Sequence, residues 1–96
     1  MANYRELEGI IMQKVIFYMR KPCPLCDDVK TWLLMLQQEY AFEIEERNID
    51  TNDTWLEKYQ LLIPVVTIND VMLHANQLNV LSLERVLKQE TRRKDG

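Results

Sequence analysis

The chain has 96 residues, of which 47% are hydrophobic, and its formal net charge at pH 7 is −3. This length suits one compact domain and is too short for two. The acidic balance leaves no basic surface to attract nucleic acid or an anionic membrane, so we expect neither as a partner. The apolar runs fall far below the roughly 20 residues that cross a bilayer, and acidic residues stand where a secretory signal would be basic. We therefore predict a cytoplasmic protein and expect a monomer.

The first part of the chain predicts an extension, a strand and a helix. We interpret residues 1–12 as an N-terminal extension and 13–96 as the domain itself, because a glycine interrupts any helix in the first segment. Residues 15–19 are β-branched or aromatic, as in a strand buried on both faces. Pro24 suits the first position of a helix, and apolar residues then recur about every 3.6 positions. This periodicity predicts a helix over roughly 24–40.

The middle of the chain predicts a second strand and a short second helix. Apolar and acidic residues alternate at the start of F-E-I-E-E-R-N-I, residues 42–49, which favours a strand. The next segment, T-N-D-T at 51–54, offers several side-chain oxygens that can bond the free N–H groups of a helix start. We expect that helix to continue through residues 55–59.

The last part of the chain predicts a hairpin and a final helix. An apolar strand follows Pro64, and Asn69 and Asp70 separate it from a further strand, although the glycine usual in such turns is absent. Ser82 is expected to cap the last helix. The order strand, helix, strand, helix, strand, strand, helix indicates an α/β fold with a four-stranded mixed sheet and helices on both faces.

The only two cysteines of the chain lie in K-P-C-P-L-C, residues 21–26. Cys23 falls between the first strand and the first helix, where unpaired N–H groups and the helix dipole favour the thiolate and lower its pKa from about 8.5. Cys26 lies in the first helical turn, close enough to join the first sulfur. Cys23 is therefore the candidate nucleophile and Cys26 the candidate resolving thiol.

The charges and the cysteines around this motif also have simpler interpretations. Arg20 and Lys21 should stabilise the Cys23 thiolate, whereas Asp27 and Asp28 oppose it, and all four charges could instead serve only the helix end and solvent. The two cysteines could instead be small buried hydrophobic residues, but their position between strand and helix argues against that role.

A metal site is a further alternative for the cysteine pair. A closed zinc site takes four ligands, whereas the pair supplies only two thiolates, and the only histidine, His74, is remote in sequence and is interpreted as a hairpin or surface residue. We therefore expect no metal within one chain, although two chains could share a cluster.

The motifs V-I-F-Y-M-R-K-P-C-P-L-C and I-P-V-V and the order of elements resemble the glutaredoxins of the thioredoxin superfamily, over about residues 14–90. The chain is most similar in pattern to the small glutaredoxin-like proteins of bacteria and archaea. The resemblance implies a thioredoxin-like, glutaredoxin-type three-layer fold with Cys23 and Cys26 as the catalytic dithiol. It also implies a cis peptide bond between Ile63 and Pro64, facing the dithiol. The alternative is an ordinary trans proline that opens a strand.

The resemblance further implies a substrate groove beside the dithiol. Its residues would be Arg20, Lys21, Pro22, Pro24, Leu25, Ile63, Pro64 and Val65. Two departures from the glutaredoxin pattern argue against glutathione, which nevertheless stays a candidate reductant: Leu25 replaces an aromatic residue, and His74-Ala75 replaces a Gly-Gly turn whose backbone helps to bind a carboxylate. We expect no tightly bound cofactor.

The sequence thus favours a thiol-disulfide oxidoreductase that acts through a Cys-Pro-Leu-Cys dithiol. Its expected partners are disulfide-containing proteins or small molecules, and a reductant that is either glutathione or a thioredoxin-type reductase. Two alternatives stay open at this point. One is a non-catalytic binding module with a peptide groove beside Pro64, and the other is a carrier of an iron–sulfur cluster or zinc bridged between subunits.

Overall fold

A computed structural model of the chain describes residues 13–95. The elements are β1 Gln13–Met19, α1 Pro24–Leu36, β2 Phe42–Asn48, α2 Asp53–Tyr59, β3 Val65–Ile68, β4 Val71–His74 and α3 Val80–Asp95, with 3-10 turns at Ile49–Thr51 and Ala75–Gln77. The predicted order of strands and helices is confirmed. The extension predicted for residues 1–12 lies outside the described residues. No helix in the described part of the chain is both long and apolar enough to cross a bilayer.

The four strands form one mixed sheet in the order β2-β1-β3-β4. β1 and β2 are parallel and are connected through α1, whereas β3 is antiparallel to both β1 and β4. Tyr18 pairs with Val65, so the end of β1 lies against the start of β3. This register brings the segment that follows β1, which contains both cysteines, to the same edge of the sheet as Ile63 and Pro64.

Helices cover both faces of the sheet, as the alternation of side chains along the strands requires. On one face, α1 and α3 pack over β1, β3 and the start of β2, and the fully buried members of this core include Val15, Phe17, Leu33, Ile68 and Leu83. On the other face, α2 packs over a smaller cluster of Tyr18, Ile49, Tyr59 and Val65. The result is the expected three-layer α/β fold, in which a two-sided core supports the end of β1.

Two predicted helix boundaries are wrong, and the structure shows why. The first helix ends at Leu36 rather than near residue 40, because the N–H groups of Gln38 and Glu39 bond the carbonyls three residues earlier and tighten the chain into a turn. The last helix is capped by Asn79 rather than Ser82. The Asn79 Oδ1 accepts the Ser82 N–H at 2.9 Å, and the Ser82 Oγ accepts the Asn79 N–H at 3.1 Å.

The predicted hairpin turn at Asn69 and Asp70 is confirmed and needs no glycine. Asn69 has a φ of 55°, in the left-handed region that asparagine tolerates better than most residues. Its side chain accepts a hydrogen bond from Gln13 Nε2 and donates one to Glu90 Oε1, both at 2.7 Å. These bonds attach the turn to β1 and to α3 at the end of the sheet that lies farthest from the cysteines.

Candidate dithiol site

Cys23 is the N-cap residue of α1. Its backbone is extended, with φ −159° and ψ 98°, and Pro24 follows as the first helical residue. The Cys23 Sγ accepts the backbone N–H of Cys26 at 3.1 Å, which is the bond that a serine or aspartate side chain makes at other helix starts. The prediction that this sulfur faces the unpaired N–H groups of the helix is therefore confirmed, and the same contact favours negative charge on the sulfur.

The two cysteines form a disulfide, with their Cα atoms 5.2 Å apart. Their environments differ. Cys26 is 2% exposed and belongs to the main core, whereas Cys23 is half-buried at the periphery of that core. Cys23 is therefore the more exposed of the two residues, and Cys26 is shielded from solvent.

The peptide bond between Ile63 and Pro64 is cis, as the resemblance implied, and the alternative of a trans proline is wrong. Pro64 is buried, and half-buried Ile63 packs against both cores. The Ala75 N–H donates to the Leu62 carbonyl at 3.3 Å and connects this loop to the end of β4. The bond between Lys21 and Pro22 is also cis, which the sequence did not indicate.

Arg20 does not stand free beside the dithiol. Its guanidinium forms a bidentate ion pair with Asp50, at 2.5 Å from Nη2 to Oδ1 and 3.2 Å from Nε to Oδ2. The hydrogen bond from Arg20 lowers the pKa of Asp50 below its ordinary value. Sequence reasoning missed this pair, although the parallel pairing of β1 and β2 contains the signal, because Met19 lies beside Asn48 and the residues that follow these strands meet.

The other residues predicted to bind substrate divide by exposure. Lys21, Pro22, Pro24 and Leu25 are exposed around Cys23, so their side chains can contact a partner. Pro64 and Val65 are fully buried, so the structure does not expose either of them to a partner. Sequence reasoning also missed Leu61, which is 94% exposed in the turn that leads to Ile63 and Pro64.

An aromatic cluster supports this edge of the sheet from the α2 side. The rings of Tyr18 and Tyr59 stack with centroids 4.1 Å apart, and the Arg47 guanidinium lies 5.1 Å from the Trp55 ring centroid. Arg47 also donates to the Tyr18 hydroxyl at 2.9 Å and to Glu45 Oε2 at 2.5 Å. Burial, and then the neighbouring Tyr59, raises the pKa of Tyr18. The cluster fixes α2 on the sheet at the end of β1 that leads to the dithiol.

Within the described residues, no three His, Cys, Asp or Glu side chains are grouped as a metal site would require. His74 is half-buried as the last residue of β4. Its backbone N–H donates to Gln77 Oε1 at 3.0 Å.

The parallel β1–α1–β2 unit, the antiparallel hairpin and the cis proline beside a Cys-x-x-Cys pair at a helix start define a dithiol protein of the thioredoxin superfamily. A family model described as Glutaredoxin-like domain (DUF836) matches residues 14–88, and the chain belongs to this family.

Solved structures agree with this assignment. Protein Ne2328 from Nitrosomonas europaea is 29% identical, with a TM-score of 0.68 over 81% of this chain and 94% of that protein. The oxidized form of mitochondrial thioredoxin 3 from Saccharomyces cerevisiae is 17% identical, with a TM-score of 0.62 over 92% of this chain and 88% of the thioredoxin. Thioredoxin-2 of the malaria parasite is 19% identical, with a TM-score of 0.59 over 81% of this chain and 82% of that thioredoxin. The two thioredoxins are similar in fold alone.

Proposed function

We propose that the protein is a thiol-disulfide oxidoreductase in which Cys23 attacks a substrate disulfide and Cys26 resolves the intermediate. The observation that carries this proposal is the unequal exposure of the two joined cysteines at a helix start. Cys23, whose sulfur accepts a helix N–H, is half-buried, whereas Cys26 is 2% exposed. This arrangement supports the proposed order of the two steps.

In the first step the Cys23 thiolate attacks one sulfur of the substrate disulfide. The substrate S–S bond breaks, one substrate thiolate leaves, and a mixed disulfide joins the other substrate sulfur to Cys23. In the second step Cys26, after giving up its proton, attacks the Cys23 sulfur and releases the second substrate thiolate. Two electrons have then passed to the substrate, and the Cys23–Cys26 disulfide is the oxidised product.

The regenerating reductant is a thiol compound or a thioredoxin-type reductase. We place this exchange in the cytoplasm, where it would transfer electrons to oxidised thiols and contribute to redox homeostasis. In that compartment a close cysteine pair is kept reduced unless it takes part in such exchange.

Substitution of each cysteine tests the proposal. Cys23→Ser should abolish dithiothreitol-dependent reduction of bis(2-hydroxyethyl) disulfide, because it removes the accessible nucleophile. Cys26→Ser should instead accumulate a mixed disulfide with the substrate, detectable by mass spectrometry of the intact protein. Activity of Cys23→Ser equal to that of the wild type would contradict the proposal, as would failure of Cys26→Ser to form the adduct.

The exposure of Leu61 and Leu25 near Pro64 favours a second candidate function, a non-catalytic module that binds peptides. The pKa of the Cys23 thiol separates the two candidates. An oxidoreductase needs a thiolate at neutral pH, so alkylation of the reduced protein should titrate well below about 8.5. A Cys23 pKa at or above that value would favour the binding module.

A further inference from the structure

Arg20, three residues before Cys23, is already paired with a carboxylate of the protein. The Arg20 guanidinium bonds Asp50 through both Nε and Nη2, and this bidentate pair places a negative charge directly against the arginine. The two residues follow neighbouring parallel strands and are 30 positions apart in sequence, so the sheet itself produces the pair. The Asp50 charge therefore offsets that of Arg20 and weakens the attraction of this arginine for an anionic ligand.

The backbone donors on the β4 side are also occupied. The His74 N–H donates to Gln77 Oε1 at 3.0 Å, and the Ala75 N–H donates to the Leu62 carbonyl at 3.3 Å. A ligand carboxylate needs such N–H groups to be unpaired and pointed outward. Neither of these two meets that condition.

The remaining charges near Cys23 do not favour an anion. Asp27 and Asp28 are exposed in the first turns of α1, and no described basic side chain forms an ion pair with either. Lys21 is exposed, and no described carboxylate pairs with it. Arg20 and Lys21 thus provide two positive charges, and Asp27, Asp28 and Asp50 provide three negative charges. Glutathione carries more carboxylates than ammonium groups, so this edge repels rather than attracts it.

Apolar side chains are exposed where the charges offer no anion site. Leu61 is 94% exposed two residues before Ile63, and Leu25 is 38% exposed two residues after Cys23. Each lies on one of the two segments that the register of β1 and β3 brings together at the dithiol. A partner that covers them removes apolar area from water and gains free energy in proportion to that area. A polypeptide with apolar residues beside its disulfide fits this surface.

We infer that the dithiol selects polypeptide disulfides flanked by apolar residues and discriminates against glutathione, with Asp50 as the residue that neutralises the charge of Arg20 and so weakens its attraction for anionic ligands. The inference rests on the proposed oxidoreductase function and specifies its substrate class. Asp50 acts through Arg20 and is therefore a positioning residue rather than a catalytic one.

Single-turnover oxidation of the pre-reduced full-length protein tests the inference without any added reductase. Two oxidants are used, glutathione disulfide and a synthetic peptide disulfide with leucines beside each cysteine. Each rate constant, measured by quenching and mass spectrometry, is divided by that of dithiothreitol with the same oxidant. For the wild-type protein this normalised rate should be higher with the peptide.

The Asp50→Asn variant provides the decisive comparison. Freed from its carboxylate partner, Arg20 should raise the ratio of glutathione rate to peptide rate by about fivefold, the size expected for one charge contact near the surface. Asp70→Asn is the matched control, because Asp70 is an exposed aspartate in the hairpin turn at the other end of the sheet. It should leave both rates unchanged. An unaltered ratio in Asp50→Asn would overturn the role of Asp50.

The apolar surface is tested by Leu61→Ser and Leu25→Ser. Each should lower the peptide rate by about threefold or more and affect the glutathione rate less, because only the peptide covers the leucine. Leu34→Ser is the control, since Leu34 is 48% exposed and lies nine residues along α1 from Leu25. Equal losses with both oxidants would contradict the apolar contact.

The proposed function and the inferred substrate class are contradicted by different results. If the wild-type protein reduces neither oxidant faster than its Cys23→Ser variant does, the proposed function itself is wrong. If it reduces both and the normalised glutathione rate is the higher one, the oxidoreductase function stands and the inferred substrate class is wrong.

Discussion

The two ends of the sheet use polar side chains in opposite ways. At the hairpin end, Asn69 bonds Gln13 and Glu90, which are 5% and 2% exposed, and the bonds join β1, the turn and α3. At the dithiol end, the corresponding polar contact is the solvent-exposed pair of Arg20 and Asp50. Hydrogen bonds inside the protein are costly to break, whereas a surface ion pair contributes little to stability. One end of the sheet is built for stability, and the other leaves a surface open to a partner.

The largest effect on stability is expected at the hairpin end. Asn69→Ala removes two part-buried hydrogen bonds to the buried side chains of Gln13 and Glu90 and places a less tolerant residue at positive φ, so it should lower the free energy of unfolding by about 2–4 kcal/mol. Asn69→Gly is the matched control, because it loses the same bonds without the left-handed penalty and should recover about 1 kcal/mol of that loss. Urea denaturation measures both. Equal losses of unfolding free energy in the two variants would mean that the left-handed backbone at position 69 adds nothing to the cost of Asn69→Ala.

An intermediate effect on stability is expected in the aromatic cluster between α2 and the sheet. Arg47→Met removes the cation from Trp55 and the hydrogen bond to the Tyr18 hydroxyl, and should cost about 1–2 kcal/mol in thermal or urea unfolding. Arg47→Lys keeps the charge but not the planar fork, so it should recover only part of that loss. Full recovery by lysine would show that charge alone, rather than guanidinium geometry, stabilises the cluster.

The smallest effect on stability is expected at the Arg20–Asp50 pair, and it should depend on pH. The hydrogen bond from Arg20 depresses the pKa of Asp50 from its ordinary value of 3.8. A depressed carboxyl pKa stabilises the folded state above the unfolded pKa, and this contribution disappears as the pH falls through the lower, folded value. The melting temperature of the wild type should therefore fall slightly more than that of Asp50→Asn as the pH drops from about 5 to about 2. If the melting temperatures of the two proteins fell equally with pH, the Arg20–Asp50 ion pair would not form in solution.

The order of elements could be predicted because each is encoded over a short window. Alternation in 42–49, helical spacing after Pro24 and the Asn-Asp turn at 69–70 are local patterns, and each forms the expected element. The ends of the helices were harder to predict. The apolar spacing of the first helix continues to Tyr40, but the chain leaves the helix at Leu36, and the Tyr40 hydroxyl donates to Glu84 on α3 instead. A contact between residues 44 positions apart is not visible in a local pattern.

The sequence by itself determined the position of Cys23 at a helix start and the reach of Cys26 to it, because both follow from the proline at the first helical position and a three-residue spacing. Only the tertiary structure decided which sulfur is shielded, since the burial of Cys26 depends on the packing of α1 against the sheet. It also decided that Arg20 pairs with Asp50, because parallel strands bring distant chain segments to one edge and charge pairing there depends on strand register.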